Sequence, residues 1–101
     1  MNPATTVQVL TASVTDTVAT LTPTAKVGAV LVQNLDASND VYFSIDGTTP
    51  VAGFGNGAIK LKAGGFIAFN ADEVEVVKAI CDTGLTADLQ VLCRPQAGPL
   101  W

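Results

Sequence analysis

No stretch of this chain sustains a 3.6-residue apolar repeat. Short apolar runs and alternations are instead punctuated by polar turns rich in Gly, Asp and Asn along its whole length. A chain patterned this way builds its core by stacking strands as sheets. The segment VGAVLVQ, Val27 to Gln33, is apolar at nearly every position, which predicts a strand buried on both faces. In the next strand Val41, Phe43 and Ile45 alternate with Tyr42, Ser44 and Asp46, which predicts one face in the core and one in water.

The remaining strands follow from turn chemistry. Val7 and Val9 alternate with Thr6 and Gln8, and a turn near Thr15-Asp16 leads into a short strand at Thr17 to Leu21, which reads as a β-hairpin. Asp46 to Asn56 is a long loop holding Pro50 and several glycines. Ala58 to Lys62 puts Ile59 and Leu61 inward with Lys60 and Lys62 outward, and Gly64-Gly65 supplies the tight turn of a hairpin into Phe66 to Phe69. Asn70 to Glu73 is an acidic turn, Val74 to Cys81 a strand, and Asp82 to Thr86 the return into Ala87 to Arg94. The expectation is all-β: a small antiparallel β-sandwich, jelly-roll-like, with extended N- and C-terminal arms, one domain at residues 1–94 and the C-terminal arm at 95–101. Its expected core is Val30, Val32, Val41, Phe43, Ile59, Leu61, Leu89 and Val91.

Composition narrows the function. A 101-residue chain that is 49% hydrophobic can bury one core, and 5 basic against 9 acidic residues provide no field for phosphate backbones or anionic lipid. Neither nucleic-acid nor membrane partners are expected. The first residues lack the positive charge and apolar run of a secretory signal, so synthesis and use without export are expected. Cys81 and Cys93 then read as free thiols packed in the core, both facing inward on their strands.

The motifs that carry chemistry elsewhere are incomplete here. Ile80 to Gly84, ICDTG, matches the short signature in which aspartic proteases place a catalytic carboxylate, but the match ends there, and Asp82-Thr83-Gly84 reads as a β-turn. Gly53, Gly55 and Gly57 would cradle a phosphate only ahead of a helix, and AIKLK is a strand pattern. Asp36 and Asp40 lack the spacing of an EF-hand, and Asp72, Glu73 and Glu75 read as solvated acidic surface. The chain has no histidine, which removes Ser-His and Cys-His pairs and histidine zinc sites. No catalytic, cofactor-binding or metal-ligating residues are assigned, and the expectation is a non-enzyme.

Taken in order, VLVQNLDASNDVYFSIDG, IKLKAGGFIAFN and VVKAICDTGLTADLQVLC resemble a group of small virion structural proteins of tailed bacteriophages. In that group a strand ending in NLD, an Asp-Gly turn, an LKAG hairpin and a final KA-DTG-ADL-VL hairpin recur in this sequence. The resemblance spans about residues 27 to 94 and rests on turn and core residues. It implies a capsid decoration (cement) protein, a head-fibre base or a tail-associated module, made in the host cytoplasm and carried on the capsid surface of the virion. The implied partners are the major capsid protein and further copies of the chain. Met1 to Thr6 and Pro95 to Trp101 flank the family-like region, and Pro95, Pro99, Leu100 and Trp101 are the interface residues expected in the arm. The alternative is a tail- or head-fibre-associated module that binds host-surface carbohydrate on aromatic side chains.

Overall fold

The computed structural model describes residues 8–24, 28–53 and 58–95. Eight strands form two four-stranded antiparallel sheets. In chain order they are β1 (Gln8–Val14), β2 (Ala19–Leu21), β3 (Gly28–Asn34), β4 (Val41–Ser44), β5 (Ile59–Leu61), β6 (Phe66–Asn70), β7 (Val77–Ile80) and β8 (Ala87–Pro95). One sheet, sheet A, runs β1-β8-β3-β6, and the other, sheet B, runs β2-β7-β4-β5. β1 pairs with β8, β2 with β7, β3 with β6 and β4 with β5. This is one long antiparallel ribbon folded at the β4–β5 connection. Rolling the ribbon up brings β8 against β3 and β7 against β4, and those two pairings close the sheets. The result is an eight-stranded jelly roll.

This winding sends almost every connection from one sheet to the other and corrects three hairpin expectations. β1 and β2 are not paired with each other: β1 adds to the edge of sheet A and β2 to the edge of sheet B. Within β1 the inward residues are Leu10, Ala12 and Val14, while Val9 is 52% exposed. Between β5 and β6 the expected turn is present, with the Gly65 N–H donating to the Lys62 carbonyl at 2.8 Å and Gly64 at φ 74°. Its flanking strands nevertheless part, β5 to β4 and β6 to β3. The same holds at the other glycine turn, where Leu85 N–H donates to Asp82 C=O at 3.0 Å and Gly84 has φ 81°. Both turns need a positive φ at their third residue, which glycine adopts without a Cβ clash. Turn chemistry reverses the chain equally well within a sheet or between two, so the partners of each strand are settled by long-range pairing.

The expected roles of the third and fourth strands also exchange. β3 is not buried on both faces: Val30 and Val32 are fully buried, whereas Ala29 is exposed and Leu31 half-buried. β4 is buried at all four positions, with Tyr42 and Ser44 on the outer side as well as Val41 and Phe43 on the inner. The chain after β4 supplies the cover. The Ser44 hydroxyl donates to the Thr48 carbonyl, and Pro50 is fully buried. A strand that alternates in sequence is thus enclosed by its own loop, with its hydroxyl satisfied locally.

The core lies between the inner faces. Val30, Val32, Val41, Phe43, Leu61, Leu89 and Val91 are buried as expected, and Ile59 packs at the margin. Phe69 meets Phe43 edge-to-face at 6.1 Å between centroids, while Phe66 stands 68% exposed. Asn70 to Glu73 forms the expected acidic turn, as a 3-10 turn at Ala71–Glu73 whose Glu73 carboxylate accepts the Asn70 N–H. β8 runs through Pro95, opposite Gly28, one residue into the segment expected to be an arm. Residues 1–7, which include the expected N-terminal arm, and 96–101 lie outside the described residues.

Phe43→Ala should remove a fully buried ring and its contact with Phe69, at a cost of about 3–5 kcal/mol. Chemical denaturation of the two proteins side by side measures this, and an unchanged midpoint would contradict the packing.

Candidate interaction surface

Four connections meet at one end of the sandwich, around Asn34. This side chain is 1% exposed, donates to the carbonyls of Asn39 and Leu61 at 2.9 and 3.1 Å, and accepts the Asp36 N–H at 3.0 Å. Its backbone N–H donates to the Gly65 carbonyl, and the next residue, Leu35, donates to Asp88 C=O. Asn39 reaches Thr86 C=O at 2.7 Å, which ties the β3–β4 loop to the segment entering β8. A buried amide used this fully is a structural node.

Asp36, Asp40 and Asp46 are occupied in the same way. Asp36 accepts from Ser38 N–H and Asn39 N–H at 3.0 and 2.7 Å, and these bonds hold its carboxyl below the usual value of 3.8. Asp40 accepts the Ala63 N–H and pairs with Lys60 at 3.5 Å. Asp46, at the opposite end, is held low by the Thr48 side-chain and backbone donors. Asp82 sits at the first position of its turn, as expected. Among the described residues no group of three or more Cys, Asp or Glu is placed to hold a metal ion. Of GFGNG only Gly53 is described, at φ 82° in a turn.

Both cysteines are free and buried. Cys81 Sγ donates to Val14 C=O at 3.4 Å, at the level where Val14 faces Ala87, whereas Cys93 lies opposite Gln8. Six residues of strand, about 20 Å, separate those levels, far beyond disulfide reach. Burial pushes both thiols up, with Cys81 raised further by Asp36, Asp82 and Asp40, so neither is an activated nucleophile.

The two broad outer faces differ. That of sheet B carries Lys60 and Lys78 and is overlaid at Ser44 by the chain after β4. That of sheet A is uncovered by any described segment and organised in rows across its strands. Val9, Leu92, Leu31 and Ala68 form one cross-strand row, and Thr11, Gln90, Gln33 and Phe66 form the next. Ala29 and Leu35 continue the β3 column beyond these rows, with Leu35 50% exposed. The strands of this face bring only two charged groups to it, Asp88 and Arg94, at opposite ends of β8. A neutral, apolar-centred face on a small acidic protein is the feature of the described residues best suited to bind another macromolecule.

Sequence reading did not single out this face. Its signal was visible, since each of β1, β3, β6 and β8 carries apolar or uncharged residues at the positions that turn outward, but rows form only once register is known. Of the expected interface residues, Pro95 is placed at the end of β8, and Pro99, Leu100 and Trp101 lie outside the described residues. Among known proteins, no family model, no curated protein and no solved structure matches the chain.

Asn34→Ala should leave the carbonyls of Leu61 and Asn39 and the Asp36 N–H without their partner, at a cost of about 1–3 kcal/mol in denaturation experiments. Both thiols should resist a thiol reagent in native buffer and react only at the rate of unfolding. Fast labelling of either would contradict the burial seen here.

Proposed function

We propose that this protein is a non-enzymatic structural module of a bacteriophage virion, a capsid decoration (cement) protein that binds the assembled head and stabilises it. The observation that carries the reading is the outer face of sheet A, apolar at its centre and charged only at Asp88 and Arg94, on a jelly roll whose Asp36, Asp40 and Asp46 carboxylates are taken up by hydrogen bonds in its loops. Eight-stranded jelly rolls are a recurrent architecture of viral capsid and lectin domains, and the sequence resemblance over about residues 27 to 94 points the same way. Such a role requires a stable body and surfaces that add to a shell. It needs no active-site chemistry.

The assignment gives the segment after β8 a task. Leu100 and Trp101 follow a proline-stiffened stretch, and an aromatic anchor of this kind contributes about 2 kcal/mol or more at an interface. The major capsid protein is the partner proposed for it.

The second reading, a fibre-associated module that binds host-surface carbohydrate, rests on Phe66, which stands exposed beside Gln33. Tyr42, on the outer side of β4, is only 6% exposed and offers no comparable platform. Glycan-array binding that disappears in Phe66→Ala would favour this reading.

Antibody raised to the purified protein should detect it in virions at a copy number comparable to that of the major capsid protein. Deleting residues 96–101 should leave the melting temperature nearly unchanged and weaken binding to heads by roughly thirty-fold, the equivalent of one aromatic anchor. Absence from virions would sink the assignment. Full decoration by the truncated chain at limiting concentration would sink the role of the segment.

A further inference from the structure

We propose that the outer face of sheet A is a self-association surface, on which two copies of the chain stack face to face about a two-fold axis lying across the strands at the level of Val91. The face is self-complementary about that line. Outward positions sit at four levels along β8, set by Arg94, Leu92, Gln90 and Asp88, and Val91 is midway between them. An axis there sets β8 antiparallel on its mate and brings Asp88 of each copy opposite Arg94 of the other. These are the two charges that the strands of this face carry, and they are of opposite sign.

The same axis also matches shape. On β6, Phe66 lies at the Gln90 level and Ala68 at the Leu92 level, so each exposed ring meets the small alanine of the other copy. On β3, Leu35 follows directly after the residue paired with Leu89, and Ala29 pairs with Arg94, so Leu35 again meets a small residue. One operation therefore satisfies the charge pair and sets two large exposed apolar side chains on two alanines. An isologous interface has this property: each contact is made twice, with the partners exchanged. Sheets stacked face to face lie about 10 Å apart with side chains interdigitated, and at that spacing the uncharged Gln90 and Gln33 of each copy lie over Leu92 and Leu31 of the other.

The area sets the strength. Four strands at about 4.8 Å spacing and about seven residues long give a face of roughly 20 by 23 Å. That is near the low end of specific interfaces, so the dimer should be reversible and its population dependent on concentration. The inference concerns the purified chain and stands apart from the virion assignment, since a self-association surface serves a shell module or any other.

The test is a charge exchange read by sedimentation velocity across a dilution series of the full chain. Asp88→Arg and Arg94→Asp should each weaken the dimer by about ten-fold or more, because each sets like charges opposite one another in both copies of the contact. The double variant should restore it, and wild-type association should weaken as salt rises. Phe66→Lys, at a position 68% exposed, should abolish association while leaving the circular dichroism spectrum and melting temperature unchanged. A wild-type protein that stays monomeric to millimolar concentration would overturn the proposal. So would a dimer indifferent to Phe66→Lys, or one weakened by the single charge variants and not rescued by the double.

Discussion

The structure depends on the insertion of the last two strands between strands that do not otherwise touch. β8 lies between β1 and β3, and β7 lies between β2 and β4. Without them sheet A would divide into β1 alone and the pair β3-β6, and sheet B into β2 alone and the pair β4-β5. A short strand or a two-stranded ribbon is marginal in water, because it buries too little apolar surface to offset the entropy of ordering its backbone. Leu89, Val91 and Cys93 on β8 and Val77, Ala79 and Cys81 at β7 are fully or almost fully buried, so the segment that completes the hydrogen-bond ladders also fills the centre of the core. Both sheets and the core thus close together, which makes folding cooperative. Since the closing pairs are far apart in sequence, it also makes folding slow relative to helical domains of this size.

Asn34 has a corresponding role at one end of the sandwich. Each connection there joins strands in opposite sheets, so none is braced by a hairpin ladder of its own. The hydrogen bonds from Asn34 to Leu61 C=O and Asn39 C=O, from Asn39 to Thr86 C=O, and from Cys81 N–H to Thr15 C=O brace them against one another. This explains why side-chain amides and carboxylates are concentrated in NLDASND: in arched connections they replace the ladder bonds that a hairpin would have provided.

Local pattern revealed the strands and turns but not their partners. The expected core residues are the observed ones because alternation places Val30, Phe43 or Val91 on a definite face whichever strand lies alongside. Lys62–Gly65 and Asp82–Leu85 suggest hairpins because they carry the glycine chemistry of a tight reversal, which is the same for a hairpin as for an arch between sheets. By pattern alone Tyr42 and Ser44 face solvent, because polar groups suit water. Their burial depends on the chain after β4, whose path local sequence does not encode. The candidate surface was illegible for a related reason: Val9, Leu92, Leu31 and Ala68 are scattered over 84 positions from first to last and become one row only through the register of three strand pairings.

The difference between the two outer faces bears on what the molecule is for. Exposing apolar side chains at the centre of a sheet carries a risk of nonspecific association, which sheet proteins commonly limit with charge, loops or cover. The outer face of sheet B has such protection in Lys60, Lys78 and the chain that overlies Ser44. Sheet A has a long uncharged edge strand, QVLTASV, and a broad face that meets charge only at the two ends of β8. Among the described residues, charge and cover are thus applied to one face. That no described segment covers the other fits a face that is covered in use, where the apolar rows gain stability from a partner and the charges at their ends set its register.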